Sequence, residues 1–391
     1  MSRIFRGITR NVFVLGLVSL FNDISSEMLY PIIPIFLTAV LGAPVAVVGI
    51  VEGVAEATAN ILKVFSGVFS DKFSRKPFVI AGYSLSTIAK PMLALAYSWP
   101  FVLLARVVDR FGKGIRTSAR DAMIADSSLE QYRGKAFGLH RAMDTCGAII
   151  GPLLLLLFLS HFQYSYRTIF IIAAIPAAIG IALLAIFVRE KNRERPKQQP
   201  IDFSMKRLGK PFAAFLLVYA LFALGNSSDA FLILRAKSFG FSTVAVVLAY
   251  ILYNITYAVS SGPAGALADK LEKKHIVGIG FLIFSFVYAG FAFLGAHAIW
   301  LLFIVYGFYT GLTDGVSKAY ITTLVPKDRR GAALGIFFAL TGTLTLFASI
   351  IAGLLWSRVS PAAPFIYGSV LAFMAGVLLF TLQGKEQAAS A

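Results

Sequence analysis

Apolar runs of about 20 residues, separated by short polar breaks, fill almost all of this 391-residue chain. A helix needs roughly 20 mostly apolar residues to cross the hydrocarbon core of a bilayer. The runs predict twelve such helices, at 11–40, 45–68, 77–97, 100–125, 135–159, 167–188, 211–237, 243–267, 275–295, 298–325, 331–357 and 364–383. One long polar stretch breaks the series. Residues 189–210, REKNRERPKQQPIDFSMKRLGK, divide it into six and six. The pattern therefore predicts an all-α integral membrane protein with an N-terminal six-helix bundle (1–188), a linker (189–210) and a C-terminal six-helix bundle (211–391). Pro31 and Pro34 predict a bend near Tyr30 in the first span. Gly311 and Gly315, beside Asp314, are candidate flexing points in the tenth.

The two halves also repeat each other. Residues 67–76 read GVFSDKFSRK and residues 265–274 read GALADKLEKK, so Gly67, Asp71 and Lys72 recur as Gly265, Asp269 and Lys270 at an offset of 198. Ser25-Ser26-Glu27 is echoed by Ser227-Ser228-Asp229, and Arg133-Gly134 by Arg330-Gly331. Duplication of half a very apolar chain is the mark of a two-halved membrane transporter.

Charge orients the helices. The chain holds 36 basic and 19 acidic residues, a net charge of +17. Such an excess can mark a nucleic-acid binder, but here the bases sit in alternate loops. Arg3, Arg6, Arg10, Lys72, Arg75, Lys76, Arg133, the linker cluster, Lys270, Lys273, Lys274, Lys327, Arg329 and Arg330 fall on one side; Arg167, Lys237 and Arg358 fall on the other. Both termini and the linker are expected in the cytoplasm, and no nucleic-acid partner is expected. The basic start MSRIFRGITRN runs into a span too long for a signal peptide's apolar core, so it is expected to be retained. Cys146 is the only cysteine, which excludes a disulfide within the chain and leaves no thiol metal site. The histidines are His140, His161, His275 and His297, and no H-E-x-x-H, G-x-S-x-G or Gly-rich phosphate loop is present. No metal, cofactor or enzyme activity is expected.

GVFSDKFSRK, between spans two and three, resembles the loop signature of the major facilitator superfamily, roughly G-x-x-x-D-[RK]-x-G-R-[RK]. Gly67, Asp71, Lys72, Arg75 and Lys76 match it, and Ser74 stands where the family has Gly. The resemblance extends over the chain, through twelve spans, the 6+6 division and the middle linker. It implies a pair of pseudo-symmetric bundles that alternate access to a central site. It also implies a cytoplasmic latch of Gly67, Asp71, Lys72, Arg75 and Lys76 with Gly265, Asp269 and Lys270, to which Arg120, Asp121 and Asp126 are added here. In span five, Gly138, Gly147, Gly151 and Pro152 resemble the antiporter signature G-x8-G-x3-G-P of proton-driven efflux members. Leu155 and Leu156 replace the Gly pair that usually follows. Gly147 and Gly151 share one face and permit close helix packing, while Pro152 bends the helix.

Charged residues inside spans cost roughly 2.5–3.5 kcal/mol each on insertion scales and therefore face a cavity or a partner. The first half holds Asp23, Glu27, Glu52, Glu56, Asp109, Asp121 and Asp144 with Lys63, Lys90, Arg106, Arg110, Lys113, Arg116, Arg120 and Arg141; the second has mainly Asp229, Asp314 and Lys318. At 100° per residue, Arg106, Asp109, Lys113, Arg116 and Arg120 share an arc of about 80° on span four, and Glu52, Glu56 and Lys63 one of about 40° on span two. Asp23 and Glu27 are i,i+4 on span one, as are His140 and Asp144 on span five. The family likeness implies that spans one, four, seven and ten line the cavity. The candidate coupling and substrate residues are therefore Asp23, Glu27, Glu52, Glu56, Arg106, Asp109, Lys113, Arg116, Asp144, Asp229 and Asp314, with Asn226, Tyr250, Asn254 and Tyr257 as polar contacts from the second half.

These readings predict a monomeric secondary transporter of the inner (cytoplasmic) membrane. It exchanges protons for an exported small molecule. The span-four bases motivate an alternative, proton-coupled uptake of an organic anion. A membrane enzyme or a non-transporting sensor is the alternative from another class.

Overall fold

The computed structural model describes residues 7–72, 74–190 and 205–382. Residues 191–204 of the expected linker, Arg3 and Arg6 lie outside the described residues, as do the side chains of Gly67, Asp71 and Lys72 in the expected latch.

Every regular element among the described residues is helical. In the first half these are α1 (Arg10–Leu29), α2 (Val45–Lys72), α3 (Arg75–Ala94), α4 (Trp99–Asp126), α5 (Arg133–Ser160), α6 (Tyr166–Ile172) and α7 (Ala174–Phe187). In the second they are α8 (Lys210–Gly225), α9 (Ala230–Ser238), α10 (Thr243–Ala268), α11 (Lys273–Phe293), α12 (Ile299–Leu324), α13 (Arg330–Arg358) and α14 (Ala363–Thr381). Ten helical segments among the described residues are long and apolar enough to cross a membrane. The expected spans 77–97 and 100–125, helices α3 and α4, do not reach that standard. Lys90 interrupts α3, and α4 carries Arg106, Asp109, Arg110, Lys113, Arg116, Arg120 and Asp121.

Backbone chemistry explains the breaks. The first span stops at Leu29 and resumes as a helical turn at Ile33–Ile35 and a wider turn at Phe36–Val40. Pro31 and Pro34 have no amide hydrogen to continue the ladder, and the Thr38 hydroxyl donates to the Pro34 carbonyl at 2.9 Å. The expected span 167–188 breaks between α6 and α7 at Ala173, whose carbonyl accepts from the Ser25 hydroxyl of α1. The expected span 211–237 breaks at Asn226–Asp229, between α8 and α9.

The sequence repeat is a structural one. Within the first half α1 packs on α5 and α7, and α3 on α4 and α7; within the second, α8 packs on α13 and α14, and α11 on α12 and α14. Gly42 and Gly240, 198 residues apart, both turn the chain with positive φ (63° and 86°) just before α2 and α10. A side chain there would be strained.

Contacts group the chain into two compact units, one of residues 1–42 with 58–198, the other of 43–57 with 199–391. The core of the first joins Val12, Leu15 and Val18 to Val79, Tyr83, Met123 and Leu184. The core of the second is aromatic. Phe222 stacks on Phe281 at 3.8 Å, and Phe284 on Tyr288 at 3.9 Å. The start of α2 belongs to this second unit, where Gly49 and Gly53 press on the α13 backbone at Ser349 and Leu346.

Candidate functional site

Small residues set the spacing of the helices that carry charge. Gly82 of α3 and Gly112 of α4 face each other so closely that a methyl built on Gly112 would lie 2.3 Å from the Gly82 carbonyl oxygen. That approach brings Lys90 of α3 to Asp109 of α4. On the other wall, methyls built on Gly147 and Gly151 of α5 would lie 2.8 Å from Asp23 Cβ and 3.2 Å from Glu27 Cβ. The glycines of the antiporter-like signature thus bear on α1 at its two acids. Gly138 does not share this role: nothing lies within 4 Å of a methyl placed there. The same holds for Gly265 in the second copy of the loop.

Between these walls, inside the first unit, lies a cavity of about 40 Å³. At roughly 10–15 Å³ per water that is room for about three waters. Its polar lining is Asn22, Asp23, Ser26, Glu27 and Tyr30 from α1 and its end, Lys90 from α3, and Arg106, Asp109, Arg110, Lys113 and Arg116 from α4. Asp109 is shared by three bases, with Lys90 Nζ at 3.9 Å, Arg106 Nη1 at 3.7 Å and Arg110 Nη1 at 3.9 Å. Ser86 ties the cluster together. It accepts from Arg116 Nη1 at 2.5 Å, donates to the Asp109 carbonyl at 3.1 Å, and its own carbonyl accepts from Lys90 Nζ at 2.8 Å. The Arg116 guanidinium also lies over the Tyr83 ring, 4.4 Å from its centre.

Of the expected coupling and substrate residues, Asp23, Glu27, Arg106, Asp109, Lys113 and Arg116 line this cavity. Asp144 sits on α5 behind it. Its carboxylate is 3.4 Å from His140 Nδ1 and interacts electrostatically with Asp23. Glu52 and Glu56 group with the second unit instead. Asp229 accepts from the Tyr306 hydroxyl at 2.6 Å. Asp314 accepts from Tyr257 at 2.9 Å and from Lys318 at 2.6 Å. Asn226 lies at the α8–α9 break, and Tyr250 packs on Tyr253 at 5.6 Å between ring centres. Sequence reading placed Lys90 and Arg110 in the membrane but not in the site, and omitted Asn22, Ser26 and Tyr30. Ser26 and Tyr30 each follow one of the acids Asp23 and Glu27 by three residues, and Asn22 precedes Ser26 by four; that spacing was the available signal.

At the ends of α3 and α4 several residues assigned to the expected latch meet partners within the first half. Arg75 pairs with Asp126. Arg120 reaches Asp121 at 2.9 Å and the Ser19 hydroxyl at 3.1 Å. Glu190, after α7, accepts from the backbone amides of Arg75 at 2.6 Å and Lys76 at 3.2 Å, so its carboxylate caps α3. The second copy is held differently. Glu272 pairs with Lys274 at 3.1 Å, and that hydrogen bond holds its carboxyl below the usual range. Among the described residues no three His, Cys, Asp or Glu side chains gather as metal ligands would.

The sequence model of the Major Facilitator Superfamily matches residues 15–248 and 213–391. An uncharacterized MFS-type transporter of Methanocaldococcus jannaschii is 42% identical over 384 residues, covering 96% of this chain and 95% of that protein. Multidrug resistance protein MdtH of Proteus mirabilis is 24% identical over 319 residues, covering 79% of this chain and 77% of its own. Among solved structures, the nucleoside transporter NupG superposes with a TM-score of 0.78 at 16% identity, covering 95% of this chain and 100% of that one. An auto-inhibited POT family peptide transporter superposes with a TM-score of 0.82 at 13% identity, covering 98% and 99%. At these identities the two structures speak for the fold alone.

Proposed function

The chain belongs to the Major Facilitator Superfamily of membrane transporters, and on that premise we propose that it is a proton-coupled secondary transporter exporting a small molecule by antiport. The observation that carries the reading is the pair Asp23 and Glu27, set on one wall of a charged cavity and pressed from behind by Gly147 and Gly151. A carboxylate that alternates between a basic wall and water gains and loses a proton as its surroundings change. Motion of α1 against α5 supplies that alternation here, because the glycine contacts leave the two backbones free to slide without interlocked side chains.

In this proposal twelve helices form two six-helix bundles, with α3 and α4 as the third and fourth spans. Their charges are turned to the cavity and to each other rather than to lipid. The protein is a multi-pass monomer of the inner membrane with both termini and the linker in the cytoplasm, as its loop charges favour. The Arg75–Asp126 pair and the Glu190 cap belong to a cytoplasmic latch holding one state of the cycle.

The test is reconstitution of the pure protein in liposomes containing a pH-sensitive dye, with an imposed proton gradient. Substrate-dependent proton movement opposite in direction to substrate supports antiport. Movement in the same direction converts the reading to symport. Substrate flux without proton movement contradicts coupling.

A further inference from the structure

We propose that His140 and Asp144 of α5 form a second proton-binding site, which passes protons to the acids of α1 from behind the cavity. The assignment rests on the proton-coupled reading above and gives its proton a route. The seam between α1 and α5 carries it. A methyl built on Gly16 would meet Met143 Sδ, while methyls on Gly147 and Gly151 would lie 2.8 Å from Asp23 Cβ and 3.2 Å from Glu27 Cβ. The two helices therefore climb this seam in the same direction. At 100° per residue, His140, Asp144, Gly147 and Gly151 fall within an arc of about 60°. The face of α5 that presses on Asp23 and Glu27 thus continues, in the turns before Gly147, with a carboxylate and an imidazole.

The chemistry of the pair suits a proton. His140 is 4% exposed, and its Nδ1 lies 3.4 Å from Asp144 Oδ2. Its other nitrogen, Nε2, and the second carboxylate oxygen, Oδ1, are buried without a hydrogen-bond partner among the described residues. Buried polar atoms are nearly always paired, so an unpaired one has a reason to be found. With its hydrogen on Nδ1, toward the carboxylate, the imidazole offers Nε2 as a bare acceptor. A proton taken up there makes an imidazolium whose charge Asp144 balances. The Nδ1 proton can then leave to Asp144, which returns the imidazole to neutrality. Asp144 in turn interacts electrostatically with Asp23, the next acid along the seam. The other charges that face His140 are Arg141 on its own helix and Arg120 and Asp121 on α4. Arg120 is held toward α1 by Ser19, whose hydroxyl accepts from its Nη1 at 3.1 Å. The two carboxylates favour uptake of the proton, and the two guanidinium groups favour its release.

The position separates proton from substrate. Asp23 and Glu27 line the cavity, and His140 and Asp144 stand outside that lining. A proton that reaches Asp23 along the seam need not cross the cavity. The acids of α1 can therefore be reloaded while the cavity is filled.

The experiment reads the imidazole directly. The full-length protein carries isotope-labelled histidine together with His161→Gln, His275→Gln and His297→Gln, so that His140 alone gives an imidazole signal. That signal is followed by NMR in detergent from about pH 4 to about pH 9. It is expected to pass from charged to neutral within this range. Asp144→Asn should weaken proton binding roughly 10- to 100-fold, and Arg120→Gln should strengthen it, as removal of one neighbouring charge of either sign requires. Melting temperatures check that each variant folds. An imidazole that keeps one charge state across the whole range overturns the proposal, and so does a midpoint that moves in neither variant. A second arm uses liposomes holding a pH-sensitive dye, with uridine, dialanine, succinate and ethidium as probes. His140→Gln is expected to abolish probe-dependent proton movement while counterflow of the same probe persists. Undiminished proton movement overturns the route through His140. Absence of proton movement by the parent protein with every probe removes the proton-coupled reading, and the titration then decides the proton-binding site by itself.

Discussion

The antiporter-like glycines provide a graded test of how α5 positions the acids of α1. A methyl added at Gly151 would sit 2.6 Å from the Ile24 carbonyl oxygen and 2.9 Å from the Met28 nitrogen. At Gly147 it would sit 2.8 Å from both Asp23 Cβ and the Leu20 carbonyl oxygen. Non-bonded heavy atoms rest near 3.5–4.0 Å, so Gly151→Ala and Gly147→Ala each require the helices to part by roughly 0.7–0.9 Å. Most of the obstructing atoms are backbone and cannot rotate away. Overpacking of this kind costs about 1–3 kcal/mol. Gly138→Ala meets nothing within 4 Å and removes a helix-interior glycine, so it should be neutral or stabilising by up to roughly 1 kcal/mol. The assay is thermal unfolding of the three variants at one scan rate, with pH-driven flux measured on the same preparations. The expected order of stability and of flux places Gly138→Ala at or above the parent protein and the other two below it. A Gly138→Ala variant as damaged as Gly151→Ala, or a Gly151→Ala variant with undiminished stability and flux, would refute the packing argument.

Three further predictions follow from individual contacts. Tyr306→Phe removes the hydroxyl that donates to Asp229 at 2.6 Å. It should cost about 1.5–3 kcal/mol, and a double-mutant cycle with Asp229→Asn should return most of that as coupling. Glu190→Gln weakens the carboxylate cap on the α3 amides of Arg75 and Lys76. Since Glu190 is exposed, the loss should be near 0.5–1 kcal/mol and should shrink with added salt, read as melting temperature against ionic strength. Asp126→Asn breaks the charge pair with the buried Arg75. It should lower stability by about 1–3 kcal/mol, whereas Lys318→Gln at the half-exposed Asp314 pair should change it by less than about 1 kcal/mol.

Much of this molecule was legible in one dimension because membrane helices obey simple rules. Hydrocarbon thickness fixes their length, and buried charge marks the faces turned away from lipid. Periodicity was enough to place Asp23 and Glu27 together and to align Arg106, Asp109, Lys113 and Arg116. Which helix meets that stripe was not legible. Lys90 reaches Asp109 because Gly82 and Gly112 let α3 and α4 touch, and no spacing rule within one helix reports on a neighbour. Glu52 and Glu56 looked like partners of the same cavity, yet the start of α2 packs in the second unit, guided by Gly49 and Gly53. The position of Gly138 was open to arithmetic. Nine residues before Gly147 is about 900° of helix, which puts it roughly opposite the packing face. The Glu190 cap spans 115 residues of sequence and had no local signature.

Coupling through the acids of α1 is the central claim, and one comparison tests it most directly. Asp23→Asn, Glu27→Gln and the parent protein are reconstituted in parallel with a pH-sensitive dye inside the liposomes, and substrate counterflow is measured without a gradient alongside pH-driven flux. The account predicts that at least one neutral variant still exchanges substrate while its pH-driven flux and substrate-dependent proton movement are abolished. Proton movement undiminished in both variants would contradict it.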